Sequence, residues 1–126
     1  MTEIFREFTF DAAHRLTGLP EGHKCSRVHG HTYRLVVFAA GPVDAEIGWV
    51  LDFAELKARV NTVIEPLDHH LLNDIPGLEQ PTTEHIAAWI WERLQPLLPE
   101  LCRIELWENR NSGVRYSGPP SEREPG

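Results

Sequence analysis

The stretch His29-Gly30-His31-Thr32-Tyr33-Arg34-Leu35-Val36-Val37-Phe38-Ala39-Ala40-Gly41-Pro42 decides the reading of this chain. From His31 to Ala39 it is rich in β-branched and aromatic residues, and Gly41-Pro42 closes it, which predicts a strand over 31–39. Two histidines stand at its start. Side chains at i and i+2 share a face of a strand, so His29 and His31 can point at a single ion. Gly30 between them permits close backbone approach. Residues 3–10, with Ile4, Phe5, Phe8 and Phe10, predict an earlier strand, and His14 follows it. Pairing of these two strands would set His14 beside the other two imidazoles.

Outward from this pair the pattern changes period. Asp52 is a candidate N-cap, and Phe53, Leu56, Val60 and Ile64 follow as one helical stripe that Pro66 closes. A second helix opens after Pro81, with Thr82 or Thr83 as its cap and Glu84 in the first turn. Its buried stripe is Ile86, Ile90, Leu94 and Leu97, and Pro96 limits its end. Residues 102–108 alternate as a third strand, and Val114–Ser117 is a candidate fourth. The order ββααββ predicts an α+β domain, an antiparallel sheet with two helices on one face. Residues 1–117 are expected to form a single domain and 118–126, rich in Pro, Gly and charge, a disordered tail.

Composition excludes several classes. The 126 residues carry 12 Lys+Arg against 19 Asp+Glu, a net charge of −7, so a sequence-independent nucleic-acid binder is excluded. A small anionic ligand is not, because one pocket can be basic in an acidic protein. Two cysteines outside any C-x-x-C pair make no disulfide framework. No apolar run reaches the roughly 18–20 residues of a membrane span. The N-terminus alternates polar and apolar residues rather than building a signal-peptide core. A soluble, cytoplasmic protein with reduced thiols is the expectation.

Three neutral imidazoles with an open fourth position make a catalytic zinc site, the alternative being scattered surface or core histidines. Cys25, four residues before His29, is a candidate fourth ligand, a nucleophile or acid–base group, or an inert thiol; Lys24 and Arg27 nearby favour thiolate. Cys102 shares a strand face with Ile104 and Leu106 and is expected to be a buried structural thiol. Asp68-His69-His70 after the first helix offers a carboxylate–imidazole proton relay, or a plain turn. Glu108 continues the apolar face of Ile104 and Leu106. Buried there, it needs a partner with adjacent N–H donors; if the strand stops one residue early, it is solvated.

Together, Phe10-Asp11-Ala12-Ala13-His14, Cys25-Ser26-Arg27-Val28-His29-Gly30-His31, Val50-Leu51-Asp52-Phe53, Leu67-Asp68-His69, Pro81-Thr82-Thr83-Glu84 and Trp107-Glu108 resemble the 6-pyruvoyl-tetrahydropterin synthase / 6-carboxytetrahydropterin synthase family. The C-x-x-x-H-G-H spacing looks like its 6-carboxytetrahydropterin branch. The resemblance implies a tunnelling fold (T-fold) assembled as a homohexamer, a dimer of trimers, with active sites between subunits. It implies Zn2+ on His14, His29 and His31, with Cys25 as the catalytic thiol and Asp68 and His69 as its acid–base partners. Glu108 would anchor the amino-pyrimidine edge of a pterin, and Thr82 and Thr83 match a pocket-forming segment, although capping explains them equally well.

The implied reaction turns 7,8-dihydroneopterin triphosphate into 6-carboxy-5,6,7,8-tetrahydropterin, with release of acetaldehyde and triphosphate, on the way to queuosine and other 7-deazapurines. Lys24, Arg27, Arg15 and Arg110 are candidate triphosphate contacts, each equally readable as a solvated charge. Asn109 departs from a common family threonine, and His70 beside His69 duplicates the relay position. His23 and His85 have no family role. Three rivals remain: a 6-pyruvoyl synthase that keeps the whole side chain, a Cys25-based hydrolase, and a zinc-stabilised binding module without activity.

Overall fold

Strands β1 (Thr2–His14) and β2 (His29–Gly41) pair antiparallel over their whole length, from Thr2 opposite Gly41 to His14 opposite His29. The structure, a computed structural model, describes residues 1–120, so most of the expected disordered tail lies outside the described residues. Within the remainder, Gly118 lies against the Trp91 ring, where an added Cβ would come within 2.9 Å. Both strands run longer than their apolar runs predict, because each continues as the other's hydrogen-bonding partner beyond its own β-favouring residues.

Helices α1 (Phe53–Ile64) and α2 (Thr83–Leu94) follow, the first capped by Asp52 through the Ala54 N–H and the second by Thr82 through the His85 N–H. Strands β4 (Leu101–Trp107) and β5 (Gly113–Tyr116) complete the chain order. Between the helices, His70–Leu71 forms a two-residue strand β3, parallel to β1 at Ala12 and Ala13. The sheet runs β3-β1-β2-β4-β5 and is mixed. No apolar alternation announces β3; it exists because the turn after α1 lies against the edge of β1.

One face of the sheet carries the core. Phe8, Phe10 and Ala12 of β1, Tyr33, Leu35 and Val37 of β2, and Ile104 and Leu106 of β4 join Leu56, Val60, Ile86 and Ile90 of the helices in one buried cluster. The fold is therefore α+β with both helices on that face, as the element order predicts. Two residues of the predicted helical stripes are exposed: Phe53, in the first turn of α1, and Leu97. Because α2 ends at Leu94, the following turn changes the phase and buries Leu98 instead. Cys102 also departs from expectation. The β2–β4 register shifts between Phe38 and Ala39 and skips it, leaving its thiol half-buried and bonded to the Phe38 carbonyl at 3.4 Å.

The β4–β5 hairpin depends on one small residue. A Cβ at Gly113 would lie 2.6 Å from the Leu106 carbonyl oxygen and 2.9 Å from Trp107 Cα. Backbone on both sides cannot yield cheaply, so Gly113→Ala should cost about 1–3 kcal/mol in denaturant unfolding. An unchanged midpoint contradicts that close approach.

Candidate functional site

The β1–β2 register builds a histidine cluster at the end of the ladder. His14 stands opposite His29, and His31 opposite Ala12, so all three rings reach the core face. One nitrogen from each ring lies within 4.8 Å of the others. His14 Nδ1 donates to the Pro81 carbonyl and His29 Nδ1 to the Arg27 carbonyl, each at 2.7 Å. A carbonyl only accepts, so these bonds leave each Nε2 with a free lone pair. Nε2 of His14 and of His31 is buried and without a hydrogen-bond partner. Orphaned lone pairs converging from neutral rings are the donor set that a zinc-type cation takes, and the residues fit such an ion.

Burial holds both His14 and His31 below the ordinary histidine value of 6.5, by penalising the charged ring; the Pro81 carbonyl at His14 and the Glu108 charge at His31 only partly offset this. The metal-free folded chain therefore binds fewer protons than the unfolded chain just below that value. This stability is complete above 6.5, the unfolded value, and is lost as pH falls toward the lower folded values. Metal-free protein should melt at lower temperature at about pH 5.5 than at about pH 7.5, and the difference should shrink in His31→Asn. Equal melting temperatures at both would contradict the burial argument.

Beside the cluster lies a cavity of about 380 Å3 lined by Lys24, Cys25, His29, His31, Glu108 and Asn109. Cys25 sits on a single 3-10 turn, Lys24–Ser26. His23 Nδ1 caps that turn by accepting the Cys25 N–H at 3.1 Å, and the Cys25 carbonyl accepts the Leu16 N–H at 2.8 Å. Glu108 enters from the far side. β4 ends one residue before it, yet its N–H is held by the Ser112 carbonyl at 3.0 Å and its side chain is 29% exposed. Its Oε1 stands 3.4 Å from His14 Nε2 and 3.3 Å from His31 Nε2. It is thus neither a strand residue nor a solvated one. Asn109 caps its own turn, accepting the Asn111 N–H at 2.8 Å.

Asp68 and His69 lie elsewhere. A second cavity, about 510 Å3, opens among residues that include Asp11, Thr32, His69 and His70, and it shares His31 with the first. Asp68 Oδ1 accepts the His69 ring at 3.0 Å and the Asp11 N–H at 2.9 Å. That main-chain bond is the chief reason the Asp68 carboxyl sits below its usual range. His70 instead bonds the Asp68 carbonyl through Nδ1, at 2.7 Å, so the carboxylate-paired imidazole is His69. Within one chain Cys25 and His69 therefore line different cavities, and Asp68 lines neither. Thr82 and Thr83 line neither: Thr82 is the α2 cap and Thr83 is buried in its first turn.

Of the basic candidates, Lys24 lines the first cavity, while Arg15, Arg27 and Arg110 are exposed and line neither. His85 is occupied by the Gln80 carbonyl at 2.7 Å. The roles of Pro81, of the Arg27 carbonyl and of His23 escape a reading by residue type. Two act through main-chain oxygen that any residue supplies, and the third through a local cap.

The family profile described as 6-pyruvoyl tetrahydropterin synthase matches residues 3–119. A Synechocystis protein named 6-carboxy-5,6,7,8-tetrahydropterin synthase is 43% identical over 122 residues, 92% of this chain and 93% of its own. A Pyrococcus furiosus protein named dihydroneopterin monophosphate aldolase is 41% identical over 114 residues, 88% of this chain and 93% of its own. The solved Caenorhabditis elegans 6-pyruvoyl tetrahydropterin synthase superposes with a TM-score of 0.86 at 28% identity, covering 94% of this chain and 96% of that one.

Proposed function

The chain belongs to the 6-pyruvoyl tetrahydropterin synthase family, and from that premise we propose that it converts 7,8-dihydroneopterin triphosphate and water to 6-carboxy-5,6,7,8-tetrahydropterin, acetaldehyde and triphosphate, for queuosine or another 7-deazapurine. The observation that carries this reading is the cluster of three imidazoles, two of which line the cavity that Cys25 and Glu108 also line. The 43% identity to the Synechocystis enzyme supports the choice of product.

In this reading His14, His29 and His31 hold Zn2+, which when bound supplies Lewis acidity to the substrate's side-chain hydroxyls. Cys25, fixed by the His23 cap, moves a proton at the substrate carbon chain as its thiolate. Glu108 accepts the adjacent N–H donors of the pterin's amino-pyrimidine edge, which answers its need for a partner at a half-buried position. Lys24 supplies positive charge at the cavity mouth for the triphosphate. Thr82 acts on the site only indirectly, by starting the helix that follows Pro81, and Thr83 by packing beneath that turn.

His69, oriented by Asp68, handles the second proton. His69 and Cys25 line different cavities of one chain, and a homohexamer with active sites between subunits would unite them. The residues to 117 act as a single synthase domain. A cytoplasmic setting suits its two free thiols.

The test is product analysis. Zinc-loaded protein supplied with 7,8-dihydroneopterin triphosphate should release acetaldehyde and a 6-carboxytetrahydropterin, identified by mass spectrometry. A 6-pyruvoyl product without acetaldehyde would place the chain in the other branch.

A further inference from the structure

Two carboxylates lie close to the His69 ring where the proposed chemistry uses one. Carboxylate oxygens of Asp11 and Asp68 and a ring nitrogen of His69 all lie within 4.8 Å of one another. Like charges this close repel, and either carboxylate has the reach to bond the same imidazole. The sheet separates them. Asp11 and Thr32 face each other across the β1–β2 ladder, and Thr32 Oγ1 donates to Asp11 Oδ1 at 2.5 Å.

With its side chain engaged on the β2 side, Asp11 turns its main chain to the β3 edge. Its N–H donates to Asp68 Oδ1 at 2.9 Å, and its carbonyl accepts the His69 N–H at 2.5 Å. Asp68 Oδ1 in turn receives the His69 ring at 3.0 Å. His69 has φ 60°, the only positive value at a non-glycine among the described residues. Such a conformation persists only where its surroundings hold it. Two other titratable groups are close. His70 bonds the Asp68 carbonyl, and Glu65, the residue after α1, shares a separate pocket with Asp68. Among the described residues neither is hydrogen-bonded to the His69 ring.

We propose that Thr32 is a positioning residue for the Asp68–His69 pair: its hydroxyl holds the Asp11 carboxylate on the β2 side and leaves Asp68 as the one carboxylate bonded to the His69 ring. The catalytic consequence rests on the proposed role of His69; the geometry does not. Thr32→Val keeps the volume and the β-branch but deletes the donor. The freed Asp11 carboxylate then competes with Asp68.

In Thr32→Val, kcat should fall about tenfold with KM within about twofold, and hydrogen exchange at the Asp11 amide should quicken about tenfold. Adding Asp11→Asn removes the competing charge and should return both to within about threefold of wild type, while Thr32→Ser keeps both. A merely structural role for Thr32 gives no such rescue. Unchanged exchange in Thr32→Val overturns the proposal, and so does a loss of kcat that Asp11→Asn does not repair. Exchange is read on zinc-loaded protein without substrate. Inactivity of the wild type on dihydroneopterin triphosphate therefore rejects the substrate assignment, while the exchange rates still decide the role of Thr32.

Discussion

Cys25→Ala should lower kcat for dihydroneopterin triphosphate by about 10²–10⁴-fold, the range for removing a positioned acid–base group, and leave bound zinc and melting temperature near wild type. The thiol lines the cavity shared by His29, His31 and Glu108 but is absent from the ligand-distance cluster of the three imidazoles. Its loss therefore removes chemistry without removing the ion. The turn that carries it is held by main-chain bonds and by His23, which the substitution leaves in place. Turnover retained in Cys25→Ala with zinc bound sinks the assignment of Cys25. Activity of the wild type that survives zinc removal would instead favour the Cys25-based hydrolase.

His31→Ala should strip the metal and bring turnover below detection, while the chain still unfolds cooperatively. His31 is the cleanest of the three to delete: its ring is 22% exposed, whereas His14 is buried against the Pro81 carbonyl and leaves a hole and an orphaned acceptor behind. Two remaining imidazoles cannot make the three-ligand set of a catalytic zinc site. Core residues of both helices and of strands β1, β2 and β4 form one apolar cluster, and that burial supplies the folding free energy without an ion. Metal analysis and a denaturant melt on the same sample check both halves. Loss of the folded state together with the metal would point to a structural ion and to the binding-module reading, because structural zinc contributes folding free energy directly.

Much of this site is legible along the chain because local rules place it. The H-x-H spacing puts His29 and His31 on one strand face by pleat geometry alone, and His14 joins them through the register of two strands whose apolar runs are plain. The caps Asp52 and Thr82 are equally local. The misreadings share a cause. Cys102, Leu97 and Phe53 depart from the faces an ideal period assigns them, because a β-bulge or a helix end resets the count.

Glu108 shows the limit from the other side. Alternation points it at the histidines, but its half-burial comes from the Ser112 carbonyl across the hairpin, a contact no spacing announces.

Element order, the apolar face of the sheet and the kinds of side chain available for chemistry are all written along the chain, since each follows from period, propensity and residue type within a short window. Which of those side chains meet is set by the packing of distant segments. That packing aims His14 through the Pro81 carbonyl 67 residues away, chooses His69 over His70 as the partner of Asp68, and sets His69 and Cys25 in different cavities. Those outcomes depend on main-chain donors and acceptors that every residue carries, and only the packed chain brings them into line.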